Sequence, residues 1–486
     1  MRRRAFLAGC GALLILAGGC RNAGTGPVAV SAIGGPPALV NPNKGPFDAP
    51  SAFLLQSVAQ GLVRFNAAGE IEPALAQRWI VSDDGLRYTF RLARGTWRSG
   101  ARITAQQVAA RLRAAAATSS RNPLKPLLGA IDDVEAMTDD VLEISLKSPR
   151  PAFLQLLAQP EFAILHRDEG SGPYVAAAQP DRSALLTLRP PAGDEEEGDE
   201  RPDSAPLLLR GEPPGRAVAR FRLGAADLVL GGSLADLPLA RAAGLPAASL
   251  VFDPVAGMLG LAFVRAGGPL ANPAARQALS MAVDRGTFIA ALRVPGLQPR
   301  ESLLPVGIGE LPQPAFPAWS GSPLPARRAT AARMLAALGA DRPVALRIAM
   351  PDGPGYRLLF SYLRRDWAAV GVRAEQVAAA APADLRLIDE VAPATLATWY
   401  LRHFTCEGSY VCSVAADEML AAARIAPLPQ NRRALLANAD RILADEAVFI
   451  PIAAPVRWSL VGTRLTGFRA NPFGRHAPGE LVRSGT

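Results

Sequence analysis

The chain has 486 residues, enough for two or three domains and a sizeable core. Hydrophobic residues make up 49% and charged residues 20%, which excludes a disordered chain. The formal charge is +9, or +6 without Arg2, Arg3 and Arg4, and Lys stands only at 44, 125 and 147. No basic run interleaved with aromatics occurs, so nucleic acid is not an expected partner. The Arg and Ala richness fits a GC-rich coding sequence, although basicity can also serve anionic membranes or acidic ligands.

Met1 to Cys20 places three arginines before an apolar run that ends in small residues, the pattern of an export signal. The run is too short and too Gly-punctuated to span a membrane stably. Arg3-Arg4-Ala5-Phe6-Leu7 matches the core of a twin-arginine signal, with Arg2 where Ser or Thr is usual. Leu16 to Cys20 resembles a lipobox with its Leu one place early. Leu7 to Cys10 has better spacing but almost no apolar run before it. Cys20 is therefore the expected lipidation site, with plain cleavage as the alternative. Residues 21–27 then form a polar tether.

Val28 to Ile33 reads as a strand and Gly34 to Pro50 as a Gly-, Pro- and Asn-rich loop containing Asn41-Pro42. Ala52 to Gln60 reads as a helix. The stretch Gly61 to Arg113 holds three short apolar runs separated by Ala68-Gly69, Asp83-Asp84-Gly85 and Arg94-Gly95. Arg87 to Leu92 alternates polar and apolar, as a half-buried strand does. Thr104 with Gln107 forms a capping box, so a helix follows through Val108 and Leu112. Val141 to Leu146 reads as a strand and Pro151 to Leu157 as a helix start. Gly170 to Tyr174 is a turn that lacks the Lys and helix of a phosphate loop.

The acidic run Gly193 to Glu200 reads as a solvated loop, because it lacks the alternating ligands of a calcium loop. Leu207–Leu209, Asp227–Leu230 and Leu259–Val264 read as strands, with a crossover near Ala247 to Pro254. Asn272 caps a helix with Pro273 at its first position, and Asp284 can cap the next helical turn. Arg327 to Leu338 reads as a helix stopped by Gly339. Val344–Met350, Gly355–Ala369 and Val372–Val377 read strand, helix, strand, which argues for an α/β unit with parallel pairing. A helix over Asn431–Leu443 and strands over Val448–Ile452 and Arg457–Val461 complete the reading.

Several of these stretches resemble the family 5 extracellular solute-binding proteins, which include dipeptide-, oligopeptide- and nickel-binding components of ABC importers. Gly61-Leu62-Val63 is followed by Pro73 to Ala76 and Trp79. Asp84-Gly85 precedes Tyr88-Thr89-Phe90 and Leu92. Trp97, Gly100 and Ile103-Thr104-Ala105 come before Val108. Gly170 to Tyr174 matches the family's Gly-Thr-Gly-Pro-Tyr turn, and Arg276 to Leu279 with Ala282 to Arg285 matches its Arg-Gln-Ala-Leu and Ala-Ile-Asp-Arg signature. Ser99 stands where the family usually has Asp. The resemblance spans roughly residues 28 to 470.

The resemblance implies an α/β, two-lobed periplasmic-binding-protein-like fold with mixed sheets and an interlobe ligand cleft. Its expected layout is a signal peptide with lipobox over 1–20, a tether over 21–27 and a first lobe over 28–250 with an inserted subdomain near 47–165. A second lobe follows over 251–460, and 461–486 returns to the first. It implies Asn41 at the cleft. It also implies that Asp389 or Glu390 stands in for the acid that binds a ligand amine, since a desolvated carboxylate and an ammonium form charge-assisted bonds. Trp399, Tyr400 and Arg402 would line the same cleft. The family's Gly-Trp and Asp-Pro landmarks are missing here, and exposed acids and core aromatics are the competing reading.

Cys406 and Cys412 lie close together in an exported chain, so a disulfide is expected. A metal pair with His403 is the rival, but one Cys-x5-Cys and one His make a poor zinc pattern. Three histidines in all, with no His-Glu-x-x-His and no Gly-x-Ser-x-Gly, give catalysis little support. The expected protein is thus not an enzyme and carries no metal or cofactor. It is an exported, lipid-anchored, monomeric solute-binding component of an ABC importer in the periplasm. Its partners are a peptide or other small solute and an inner-membrane permease and ATPase complex. The alternatives are a periplasmic enzyme exported by the twin-arginine route, a binding protein for nickel, haem or another small ligand, or a scaffold turned to sensing.

Overall fold

The computed structural model of the protein describes residues 26–189, 205–264, 267–337 and 344–483. Cys10, Cys20 and the rest of the signal, most of the tether, the acidic run and Gly339 lie outside the described residues. Among the described residues no helix is long and apolar enough to cross a membrane.

Strand β1 (Val28–Ile33) leads to helix α1 (Ala49–Val58). The helix begins earlier than its apolar run because the Asp48 carboxylate accepts from Ser51 N and caps it. Strands β2 (Val63–Phe65) and β3 (Ile71–Pro73) pair around the Ala68-Gly69 turn. Strands β4 (Ala76–Val81), β5 (Arg87–Leu92), β6 (Ile131–Ala136) and β7 (Val141–Leu146) form an antiparallel sheet in the order β4-β5-β7-β6. In β5, Tyr88, Phe90 and Leu92 are buried while Arg87 and Arg91 are exposed, as the alternation predicts. Helix α2 (Ala105–Ala116) packs on this sheet and starts at the Thr104–Gln107 capping box. The Trp97 indole N–H also donates to Gln107 Oε1 at 2.9 Å, so one side chain fixes both the helix start and the loop before it.

Helix α3 (Phe153–Leu157) follows, then strands β8 (Tyr174–Ala178), β9 (Ala184–Leu188) and β10 (Leu207–Glu212). At Gly170 and Gly172 an added Cβ would strike the backbone at Ser57 and Val58, so only glycine lets this turn lie against the end of α1. Helix α4 (Pro214–Arg222), strand β11 (Leu228–Ser233), helix α5 (Leu237–Ala242) and strand β12 (Leu250–Asp253) continue the lobe. Its sheet has seven strands, ordered β12-β18-β11-β1-β10-β9-β8, with β18 (Arg457–Val461) arriving from the far end of the chain. β1 is parallel to β10 and β11; β18 is antiparallel to both of its neighbours.

The second lobe begins at β13 (Gly257–Phe263), fully buried along its length. Helices α6 (Pro273–Ala282) and α7 (Arg285–Leu292) break at Val283–Asp284, where Asp284 caps α7. Helix α8 (Leu324–Ala337), strand β14 (Ala345–Met350), helix α9 (Pro354–Ala368), strand β15 (Arg373–Ala378) and strand β16 (Leu385–Val391) follow. Helices α10 (Ala397–Leu401), α11 (Val414–Ile425) and α12 (Pro429–Asp445) precede strand β17 (Phe449–Ala453). The order is β15-β14-β16-β13-β17, with β14 parallel to β15 and β16. The protein is therefore a two-lobed α/β molecule with mixed sheets.

The chain crosses between the two sheets twice, from β12 to β13 through 254–256 and from β17 to β18 through 454–456. A Cβ on Gly257 (φ +155°) would overlap the Glu390 carbonyl oxygen and approach the Pro455 ring, so glycine is required where the two crossings meet β16.

Asp440 on α12 is 1% exposed. Its Oδ2 accepts from Ala315 N at 2.6 Å, while Oδ1 has no partner among the described residues. Burial pushes its carboxyl up to about 7. An acid that holds its proton more tightly folded than unfolded (about 3.9) loses stability as pH rises between those two values. Asp440→Asn keeps the acceptor for Ala315 N–H and removes that slope. In urea unfolding, the advantage of the Asn variant should grow from pH 5 to pH 7 at up to about 1.36 kcal/mol per pH unit, then level off. A constant difference would contradict this.

Candidate functional site

Strand β16 carries Asp389 and Glu390 just before its last residue, Val391, which pairs with Gly257 at the first crossing. Consecutive strand residues point to opposite faces, so the two acids have separate surroundings. The Asp389 side chain is 4% exposed and reaches toward the first lobe. Arg457, the first residue of β18, donates from Nη1 to Asp389 Oδ1 at 2.8 Å and from Nη2 to Asp389 O at 2.9 Å. The Tyr356 hydroxyl, on α9, donates to Oδ2 at 2.8 Å. Burial, and then the charge of Asp389, push the Tyr356 phenol well above its ordinary range. Burial opposes the Arg457 charge, but the Asp389 carboxylate more than offsets it and raises the guanidinium. Asp236, before α5, joins this group and accepts from the Ser233 hydroxyl at 3.3 Å. Burial raises its carboxyl, and the charge of Asp389 adds to the effect.

Glu390 points the other way and its side chain is 58% exposed. His403 Nε2 lies 3.3 Å from Glu390 Oε2, and that hydrogen bond holds the carboxyl below its usual range. His403 is in turn fixed through Nδ1 by the Trp399 carbonyl at 2.8 Å. Trp399 (6% exposed) and Tyr400 (1%) sit on α10 inside the apolar core of the second lobe. The Tyr400 hydroxyl has no partner among the described residues, and burial pushes it up to about 12. Arg402 is half-buried; burial lowers its guanidinium, with Glu407 opposing. Asn41 caps the short turn Pro42–Lys44 by accepting from Asn43 N at 2.9 Å. Cys406 and Cys412 are joined, with Cα atoms 5.2 Å apart. Their loop is held to the second sheet by Val411 N donating to Phe263 O.

Of the residues singled out in the sequence, Asp389 and Glu390 lie near the end of β16 and Trp399 reaches Glu390 through His403, while Tyr400 lies in the second-lobe core, Arg402 stands beside Glu407 and Asn41 lies in a turn. Sequence reading missed Arg457, Tyr356 and Asp236, which come from β18, α9 and the loop before α5. Arg457 alone left a signal: a charge opening a buried strand just after Pro455. On the first-lobe side of Arg457 is a cavity of about 70 Å³, lined by Phe53, Gln56, Gly232, Asp253, Trp458 and His476 among others. Asp253 and His476 form a buried pair at 3.2 Å there. Among the described residues no three His, Cys, Asp or Glu side chains gather to hold a metal ion. Carboxylates, a guanidinium and a phenol between two lobes suit the holding of polar groups by charge-assisted hydrogen bonds.

Residues 70–402 match the family model described as bacterial extracellular solute-binding proteins, family 5 Middle. A probable di/tripeptide-binding protein of Pseudomonas aeruginosa is 24% identical over 85% of this chain and 88% of its own. The nickel-binding periplasmic protein of Escherichia coli is 29% identical over about half of each chain (52% and 51%). Among solved structures, Haemophilus influenzae OppA in complex with the peptide RPPGFSPFR superposes with a TM-score of 0.81 at 18% identity, over 95% of this chain and all of the other. The Escherichia coli murein tripeptide binding protein MppA scores 0.80 at 19% identity, over 95% of this chain and 99% of the other. The score is 0.69 against the unliganded open form of MppA, at the same identity and coverage.

Removing Arg457 would leave the Asp389 charge buried without a counter-ion, with only the Tyr356 hydroxyl donating to it among the described residues, which costs on the order of 3–5 kcal/mol. Arg457→Met should therefore lower stability in urea unfolding more than Asp389→Asn, whose one amide oxygen can still accept from Arg457 while its NH2 donates to the Tyr356 hydroxyl oxygen. Equal losses would show that the pair is not the source.

Proposed function

Since the chain belongs to the bacterial extracellular solute-binding proteins of family 5, we propose that it captures a short peptide or peptide-like solute between its lobes for an ABC importer. The observation that carries this reading is the match over residues 70–402 together with two lobes joined by two crossings at an acidic strand end. In this reading the solute passes to a permease and ATPase complex at the inner membrane, and the protein acts by binding, as a monomer. Export through the Arg-rich signal, and lipidation at Cys20, keep it in the periplasm at a membrane surface.

Glu390 is the group proposed to meet a ligand ammonium: its side chain is exposed and pairs with His403. Asp389 adds negative potential from behind while Arg457 and Tyr356 occupy its oxygens. Trp399 holds His403 in place from the core. Arg402 and Asn41 are proposed at the margins of the cleft, and the disulfide steadies the loop behind Glu390.

Native mass spectrometry of the mature chain, purified from its own periplasm, tests this. A retained peptide is expected. Glu390→Gln should weaken its binding about tenfold or more, the loss of one hydrogen bond to a charged group. A retained metal or haem, or an empty chain whose melting temperature ignores a peptide library, would overturn the reading.

A further inference from the structure

The two lobes meet at several places besides the crossings, among them the Ser148 hydroxyl donating to the Arg424 carbonyl, Arg241 donating to the Leu292 and Arg293 carbonyls, and the segment around helix α3. Helix α3 and the turn after it belong to the unit built on the four-stranded sheet. Two glutamines on this segment reach the second lobe just beyond the end of β16. Gln155 Oε1 accepts from Thr395 N at 2.9 Å and from the Thr395 hydroxyl at 3.1 Å. Gln159 is 2% exposed, and its Nε2 donates to Pro393 O at 2.6 Å. Its Oε1 accepts from Arg475 Nε at 3.1 Å, and Arg475 also pairs with Glu161 at 3.0 Å.

The orientation of the Gln159 amide follows from its partners. A guanidinium can only donate and a proline carbonyl can only accept, so oxygen must face Arg475 and nitrogen must face Pro393. Arg475 and Glu161 anchor one end of the amide within its own lobe. The other end is satisfied by protein only while the lobes are together. Gln155 adds two more bonds to the same three-residue stretch, Pro393 to Thr395. That stretch directly follows the strand that carries Asp389 and Glu390.

We propose that Gln155 and Gln159 form a clasp that sets the ratio of closed to open protein, and through it how tightly an enclosed solute is kept. This rests on the reading of the protein as a solute-binding component. Neither glutamine needs to touch the solute. They act as positioning residues, because apparent affinity scales with the fraction of protein in the binding-competent state. Such bonds exchange for water on opening, so each is worth a modest factor rather than a lock.

The test uses the ligand-free mature chain. Gln159→Glu keeps the acceptor for Arg475 and removes the donor to Pro393. The measurements are the radius of gyration by X-ray scattering, and hydrogen exchange of the peptic fragment holding Thr395. The acceptor of Thr395 N–H, Gln155, is untouched in this variant. The expected result is a larger radius and roughly fivefold faster exchange at Thr395, with the urea midpoint unchanged. Unchanged scattering and unchanged exchange in a folded variant would overturn the clasp. So would faster exchange throughout α3 with a lowered midpoint, which marks a merely structural role. If the Glu variant folds poorly, Gln155→Ala carries the scattering test with the same two outcomes. Neither readout needs a ligand, so an empty protein in mass spectrometry and an unchanged radius here are separate failures.

Discussion

Two lobes that exchange strands must bring polar groups into the place where the strands cross, and everything near the cleft follows from how those groups are satisfied. β12 and β17 both end there, and β13 and β18 both begin. Gly257 has no side chain because the Glu390 carbonyl and the Pro455 ring occupy that space. Arg457 answers the opposite problem. It offers several donors in one plane, and it spends them on the Asp389 carboxylate, the Asp389 carbonyl and the Val456 carbonyl. Arg300 does similar work from the other side, donating to Gly257 O at 2.6 Å. The lobes are thus tied at the crossing by a buried ion pair, while Gln155 and Gln159 meet the second lobe elsewhere.

The same use of arginine accounts for part of the basic composition. Arg276 is 2% exposed and donates to the carbonyls of Glu446, Leu270 and Ala271. Arg285, equally buried, serves Pro451, Ser280 and Val283. Arg432 joins Glu310 and the Ala423 carbonyl. These side chains finish helix ends and strand ends that would otherwise leave carbonyls unpaired in the interior. Part of the positive charge is therefore internal, where it meets backbone rather than an external polyanion.

Much of the architecture was legible in the sequence because it is local. The alternation of Arg87 to Leu92, the Thr104 capping box and the Asn272 and Asp284 caps each depend on residues within a few positions, and each stands in the structure. The family resemblance, carried by Trp97, Arg276 to Leu279 and Asp284-Arg285, pointed to the family that the match over residues 70–402 shows. Less local elements were missed. β16 is not legible as a strand because Arg386, Asp389 and Glu390 break its apolar run; the two acids enter only through the resemblance, and their partners come from other elements. Helix α4 hides behind Pro213-Pro214-Gly215, although Pro suits a first turn. The candidate site was legible only as a pair of acids. Its partner Arg457 lies 68 positions from Asp389, and Tyr356 lies 33 positions away on another element. No periodicity links residues so far apart.

The place of β18 in the first sheet has a consequence for how the molecule is made. It lies between β11 and β12, not at an edge, yet it is drawn from residues 457–461. β12 touches no other strand of that sheet. Until nearly the whole chain has been synthesised, β12 has nothing to pair with and β11 presents an open edge. The second sheet has no such delay, since its strands fall between Gly257 and Ala453 without interruption from the first. Assembly of the first lobe must wait for the second to be complete or nearly so. The last strand then inserts between two others at large sequence separation, a step that is entropically costly and therefore slow. A chain cut short before residue 457 lacks the bridge between β11 and β12 and exposes strand edges prone to association.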